Sequence, residues 1–215
     1  MTERKRVGVL ISGRGSNLAS LIEAQRAPDY PAEIVLVLSN KADALGLVRA
    51  REAGIETKVI SHKGFASRED FDALITGALK DARVDFVCNA GFMRLHSAAF
   101  VRQWCGRQLN IHPSLLPAFR GLRPQARALE EGVRVSGATV HFVSEEMDAG
   151  PIIAQGAVPV LAGDDEEALS ARILAMEHRL YPLALKLVAS GSAWLEDSRV
   201  EFASADLSPS LWPQA

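Results

Sequence analysis

Asn110 and His112 stand two residues apart at the end of the apolar run Leu109-Asn110-Ile111-His112, and Pro113-Ser114-Leu115-Leu116-Pro117 follows them. On a strand, residues i and i+2 share a face, so this amide and imidazole could hold one carbonyl between them. An amide that donates a hydrogen bond and an imidazole that exchanges a proton suit acyl transfer, in which a carbonyl oxygen turns negative in the transition state. The prolines then take the chain out of the sheet. The competing reading is a strand end whose Asn and His only satisfy backbone groups of a turn.

Positioning such a pair calls for a regular scaffold, and the chain supplies one in alternating pieces. Val7 to Ser12 reads as a strand that runs into Gly13-Arg14-Gly15-Ser16-Asn17, after which Leu18, Leu21, Ile22 and Ala24 fall at helical spacing. Ile34 to Leu38 is a second strand, and Ala42 to Ala53 a helix stopped by Gly54. Thr57 to Ile60 is a short third strand, and Ser67 is an N-cap for a helix carrying Phe71, Leu74, Ile75 and Leu79. Val84 to Ala90 is a fourth strand, followed by a helix from Ser97 to Trp104. Continuous apolar strands between amphipathic helices predict a parallel sheet covered on both faces.

The second half differs in texture. Gln125 to Glu131 reads as a helix ending at Gly132, and then Ser136 to Val143 and Ile152 to Val160 alternate as antiparallel strands do. The loop Ser144 to Pro151 between them carries Asp148. A long helix from Asp165 to Val188, interrupted at Pro182, leads to an irregular end from Ser204 onward. The fold class is therefore α/β, a three-layer Rossmann-like arrangement with a mostly parallel sheet and antiparallel strands in the C-terminal half.

Composition bounds the function. With 215 residues, 48% apolar and 23% charged, the chain is expected to form one globular domain around a sizeable core. A net charge of -2 lacks the electrostatic footprint of a nucleic-acid binder. No apolar run approaches the roughly 20 residues that span a bilayer. No nucleic-acid and no membrane partner is expected, and the apolar run after the basic start is too short for a signal peptide. Cys88 and Cys105 lack metal-type spacing and read as buried free thiols of a cytoplasmic protein. No metal site is expected, and His62, His141 and His178 read as core or surface histidines rather than ligands.

The glycine loop does not meet the requirements of a dinucleotide fold. Leu18 stands where a third glycine belongs, and Ser39-Asn40 where an acidic residue would meet a ribose. A Walker loop would need Gly-Lys-Ser/Thr, which is absent. The remaining chemistry is that of backbone N–H groups of Gly15, Ser16 and Asn17 at a helix N-terminus, able to hold one phosphate monoester.

Five blocks in order carry a resemblance: Leu10-Ile11-Ser12-Gly13-x-Gly15-Ser16-Asn17-Leu18, Ser39-Asn40-Lys41-Ala42, Ala90-Gly91-Phe92-Met93-Arg94, Asn110-x-His112-Pro113-Ser114-Leu115-Leu116-Pro117 and Asp148-x-Gly150-Pro151. Together they resemble the phosphoribosylglycinamide formyltransferase family, over most of the chain up to Glu177-His178. The resemblance implies a formyltransferase fold that moves a formyl group from 10-formyltetrahydrofolate, a co-substrate, to the glycinamide amine of a phosphoribosyl substrate in purine synthesis. It implies no tightly bound cofactor, small-molecule partners and a monomer or homodimer. It divides a single domain, 1–215, into a phosphate-binding half at 1–105, a catalytic and folate-binding half at 106–190 and a tail at 191–215.

Carried over by position, Asn110, His112 and Asp148 match the family's catalytic trio. Asn110 would donate to the oxyanion, His112 would supply or relay protons, and Asp148 would favour the charged imidazolium. Gly15, Ser16, Asn17, Leu18 and Ala19 match positions that bind the ribonucleotide, with Glu177 at its other end; read alone, Glu177 is an exposed helix carboxylate. Arg68, Met93, Arg94, Leu95 and His96 match folate-contacting positions, joined by Asn110 and by the loop residues Ser144, Glu145, Glu146, Met147 and Asp148.

One segment departs from that pattern. After Pro117 the family continues through a glycine to a stretch bearing histidine, whereas this chain reads Arg120-Gly121-Leu122-Arg123-Pro124-Gln125-Ala126-Arg127. Arg-Gly-x-x-Pro is more similar to methionyl-tRNA formyltransferase. That family carries a further basic domain, for which 215 residues leave no room, and its first loop lacks Gly-x-Gly-Ser-Asn. Two lesser readings fit the same residues: formyl transfer to an amino-sugar nucleotide, and a non-catalytic protein that binds folate or a phosphosugar.

Overall fold

In the computed structural model, which describes residues 3–204 and 209–211, the first apolar run becomes strand β1, Lys5–Ile11, sealed from water from Val7 onward. Two compact units divide the chain, residues 1–110 and 111–215.

The first unit strings together β1, α1 (Ser16–Ala24), β2 (Ala32–Ser39), α2 (Leu45–Glu52), β3 (Glu56–Val59), α3 (Arg68–Asp81), β4 (Phe86–Asn89), α4 (Ala98–Gln103) and most of β5 (Gln108–His112). All its strand pairings are parallel, in the order β5-β4-β1-β2-β3. Alternation decides which helix each strand residue meets. Leu10, Leu36, Leu38 and Val87 pack with Phe71, Ile75 and Leu79 of α3 and with Phe100 and Trp104 around α4. Ile11, one residue on from Leu10, points to the other face, against Gly46 of α2. Each such side chain removed from water contributes about 1.5–3 kcal/mol. The N-cap expected at Ser67 forms, its hydroxyl accepting from the Asp70 amide, and at the start of α4 the Ser97 hydroxyl accepts from the Phe100 amide.

The second unit holds α5 (Pro124–Glu130), β6 (Val135–Phe142), β7 (Ile152–Pro159), α6 (Glu166–Ala189), β8 (Ala193–Glu196), β9 (Arg199–Phe202) and β10 (Ser210–Leu211). Strands β6 and β7 are antiparallel, with Thr139 opposite Gln155 and a register shift between Val140 and His141. Helix α6 packs on both. The strands are thus parallel in the first unit and antiparallel in the β6–β7 pair, the α/β class expected.

Three local expectations are corrected. Helix α6 runs unbroken for 24 residues through Pro182. The proline removes one helical hydrogen bond at about 3 kcal/mol, but Leu180, Tyr181, Ala184 and Leu185 around it are all buried, and that packing outweighs the break. Cys88 is buried as expected, whereas Cys105 is exposed, because Trp104 beside it turns inward to 2% exposure. Beyond α6 the chain forms the β8–β9 hairpin, turned by Asp197 and Ser198 at φ 43 and 68, a two-residue turn that needs positive φ at both positions. Ser210 and Leu211 pair in parallel with Gln155 and Gly156 of β7 where irregular chain was expected; residues 205–208 and 212–215 of that stretch lie outside the described residues. Among the described residues, no helix is long and apolar enough to cross a membrane.

Candidate active site

Within the first unit, the glycine loop is shaped from behind by α2. Gly15 sits in the left-handed region at φ 70, ψ 37 and precedes the first turn of α1. The Gly46 amide donates to the Gly13 carbonyl at 3.0 Å and Arg49 Nε to the Arg14 carbonyl at 3.3 Å. A Cβ on Gly15 would come 2.7 Å from Gly46 Cα, so glycine is required there both by conformation and by space. With the Gly13 and Arg14 carbonyls drawn toward α2, the trans peptide planes turn the Arg14 and Gly15 amides away from it, beside a helix start of the kind that can receive an anion. Leu18 is fully buried, so its side chain belongs to the core and only its backbone is available to a ligand.

Beyond β4, Met93 and Leu95 are 75% and 54% exposed, and Arg94 is exposed between them. Two bare apolar side chains flanking a guanidinium suit a flat aromatic ligand with a carboxylate tail. His96 is different. Its ring stacks between Phe92 and Phe100, with centroids 5.2 and 4.1 Å away, and its Nδ1 lies 3.2 Å from Asp72 Oδ1. The buried Nε2 has no hydrogen-bond partner. The imidazole therefore anchors the segment inward, and Arg68 Nη1 donates to the His96 carbonyl at 3.4 Å.

Strand β5 presents Asn110 and His112 on one face by its period of two. Asn110 is half-buried and His112 is 6% exposed. In the second unit His112 Nε2 lies 2.9 Å from the Phe119 carbonyl and Nδ1 3.3 Å from Asp148 Oδ2. Both neighbours can only accept, so they fix the orientation of the ring from either side. Asp148 is itself held at φ 50, uncommon for a residue with a side chain, and its Oδ2 also accepts from the Gly121 amide at 3.0 Å.

A second imidazole, missed in the sequence, faces the same carboxylate. His141 Nε2 lies 3.8 Å from Asp148 Oδ1, while its Nδ1–H donates to the Phe142 carbonyl at 2.8 Å. Burial pushes this imidazole below the ordinary histidine range; the Phe142 carbonyl and the Asp148 charge oppose the shift, and His112 adds to it. The signal was available in principle, since the β6–β7 hairpin brings residue 141 next to the loop that follows, but no motif marks it.

The departing segment is tied down by its own arginines. Arg127 Nη1 donates to the Arg120 carbonyl at 2.7 Å and its guanidinium lies 5.6 Å from the Phe119 ring centroid. Arg120 pairs with Glu146 at 2.8 Å, and Arg123, at φ 52, stands at the N-cap position of α5 without a side-chain cap and reaches Glu166 at 3.8 Å. Gln125 is half-buried. In the loop after β6, the Ser144 hydroxyl donates to the Glu146 carbonyl, Glu145 is exposed and Met147 is 46% exposed. Ala19 is half-buried on α1, whereas Glu177, expected to be exposed, is 6% exposed on α6. Among the described residues no group of three or more His, Cys, Asp or Glu could hold a metal ion.

Residues 5–185 match the model of a family described as Formyl transferase. Over 191 residues, 88% of the chain, the sequence is 60% identical to the trifunctional purine biosynthetic protein adenosine-3 of Drosophila pseudoobscura pseudoobscura, and it spans 14% of that protein. It is 46% identical over 199 residues to phosphoribosylglycinamide formyltransferase of Escherichia coli K12, covering 89% of this chain and 94% of the relative. The crystal structure of glycinamide ribonucleotide transformylase 1 from Symbiobacterium toebii superposes with a TM-score of 0.91 at 48% identity, over 95% of this chain and 96% of the other.

Proposed function

The chain belongs to the formyl transferase family, and on that premise we propose that it transfers the formyl group of 10-formyltetrahydrofolate to the amine of phosphoribosylglycinamide, in purine synthesis. The observation that carries this reading is His112, which shares a strand face with Asn110 and lies 3.3 Å from Asp148. The amine attacks the formyl carbon, a C–N bond forms and the carbonyl oxygen becomes an oxyanion that Asn110 stabilises by donating from its amide. The new nitrogen loses a proton, N10 of the folate gains one through His112, and the C–N10 bond breaks. Asp148 keeps the ring oriented and balances its charge.

In this reading Gly15, Ser16, Asn17 and Ala19, with the backbone of Leu18, receive the phosphate end of the acceptor, and Glu177 serves its other end. Arg68, Met93, Arg94 and Leu95 take the folate, with His96 contributing through its backbone, and Ser144, Glu145, Glu146, Met147 and Asp148 close over the pterin. The folate is a co-substrate and the protein needs no tightly bound cofactor or metal. It acts in the cytoplasm as a monomer or homodimer.

The test is one assay: 10-formyltetrahydrofolate and phosphoribosylglycinamide are mixed with the protein, and loss of the formylated folate is followed with and without acceptor. Acceptor-dependent loss is expected, and its absence sinks the reading. Turnover with methionyl-tRNA or an amino-sugar nucleotide instead would move the assignment to another acceptor, and binding without turnover to a non-catalytic role.

A further inference from the structure

The strand order of the first unit reverses between β1 and β4, and in open parallel sheets ligands bind beyond the carboxyl ends of the strands at such a point. One residue occupies it from both sides. Ser12 directly follows β1 and directly precedes the glycine loop. Its amide donates to the Gly91 carbonyl at 3.1 Å, and its hydroxyl oxygen accepts from the Met93 amide at 2.8 Å. These two bonds clamp the turn that leads into Met93–Leu95, a turn made at Gly91 with φ 77.

The hydroxyl is itself aimed. Its proton goes to Asn40 Oδ1 at 2.7 Å, at the end of β2, so its lone pairs are left for Met93. Asn40 is held in turn, its Nδ2 lying 3.2 Å from His62 Nδ1. Ser12 and Asn40 are each only 4% exposed, so water cannot readily replace either bond. The glycine loop begins at the next residue and is held from the other side by Gly46 and Arg49.

We propose that Ser12, oriented by Asn40, is a positioning residue that registers the folate-binding segment Met93–Leu95 against the phosphate loop. The inference rests on the formyl-transfer reading. Without the hydroxyl, the Met93 amide loses its acceptor and the turn after β4 is free to shift, while the phosphate loop keeps its ties to α2. The consequence is one-sided: the donor should suffer and the acceptor should not.

The experiment compares Ser12→Ala, Ser12→Thr and Asn40→Ala with the wild type. Steady-state KM is measured for both substrates, and calorimetric titration follows tetrahydrofolate and phosphoribosylglycinamide separately. Ser12→Ala should raise the donor KM and the tetrahydrofolate Kd about tenfold, the factor that corresponds to roughly 1.4 kcal/mol. The acceptor constants should stay within about twofold, since the backbone that would hold the phosphate is untouched. Ser12→Thr, which keeps the hydroxyl, should recover the donor constants. Asn40→Ala should move them in the same direction by less, and carries the test if Ser12→Ala does not fold. Equal weakening of both substrates, or no change, overturns the inference while leaving the formyl-transfer reading intact. A wild type that binds neither molecule overturns both.

Discussion

His112 Nδ1 stands 3.3 Å from Asp148 Oδ2, and the other nitrogen of the same ring is 2.9 Å from the Phe119 carbonyl. A ring held between two acceptors cannot rotate without losing a hydrogen bond, so its orientation on β5 is set by partners that lie beyond the strand. If that orientation serves proton transfer, Asp148→Asn and His112→Asn should each lower kcat by about 10²–10⁴ in folded protein. The double variant should lose little more than the worse single one, because the pair acts as a unit. Near wild-type turnover in Asp148→Asn would end the assignment.

Asn110 is expected to act later on the reaction path, when charge reaches the carbonyl oxygen. Asn110→Ala should reduce kcat by about 10²–10³ while KM for either substrate changes little, since the interaction strengthens only in the transition state. A change confined to KM would show instead that the amide serves ground-state binding.

Gly15→Ala tests the phosphate loop. The substitution meets both a φ of 70 and the backbone of Gly46. A loss of about 1–3 kcal/mol in stability is expected, with weaker binding of phosphoribosylglycinamide. Thermal melting with and without that ligand measures both; an unchanged ligand-induced rise in Tm would remove the loop from the acceptor site.

Stability should fall on mild acidification. Burial lowers the affinity of folded His141 for protons, and burial does the same at the partly exposed His178. The unfolded chain, with histidines near about 6.5, then binds more protons than the folded one just below that pH. The stabilisation these groups provide is complete above that value and is lost as pH drops toward their folded pKa. Tm followed from pH 8 downward should decline, and His141→Asn should flatten the slope. A slope identical to wild type would rule out His141 as its source.

The alternation of strands and helices, the glycine loop and the shared face of Asn110 and His112 were legible in the residues, because each depends on a local period or on turn chemistry. Boundaries were less so: α2 starts at Leu45, three residues after the expected Ala42, and the β8–β9 turn uses Asp197 and Ser198 rather than a glycine. What Asp148 meets was beyond local reading, since His112, Gly121 and His141 reach it from three different segments.

Local residue patterns were enough to set which elements form and where chemistry-bearing side chains enter them, since periods of 2 and 3.6 residues and a left-handed glycine act over a few neighbours. Packing between distant segments was needed to turn His96 inward to Asp72, to bury Glu177, to carry α6 through Pro182, and to let Ser12 join the ends of β1, β2 and β4. Each of these is a competition between a local preference and the free energy of packing or hydrogen bonding to residues far away in the chain, and only the assembled fold brings those partners within reach.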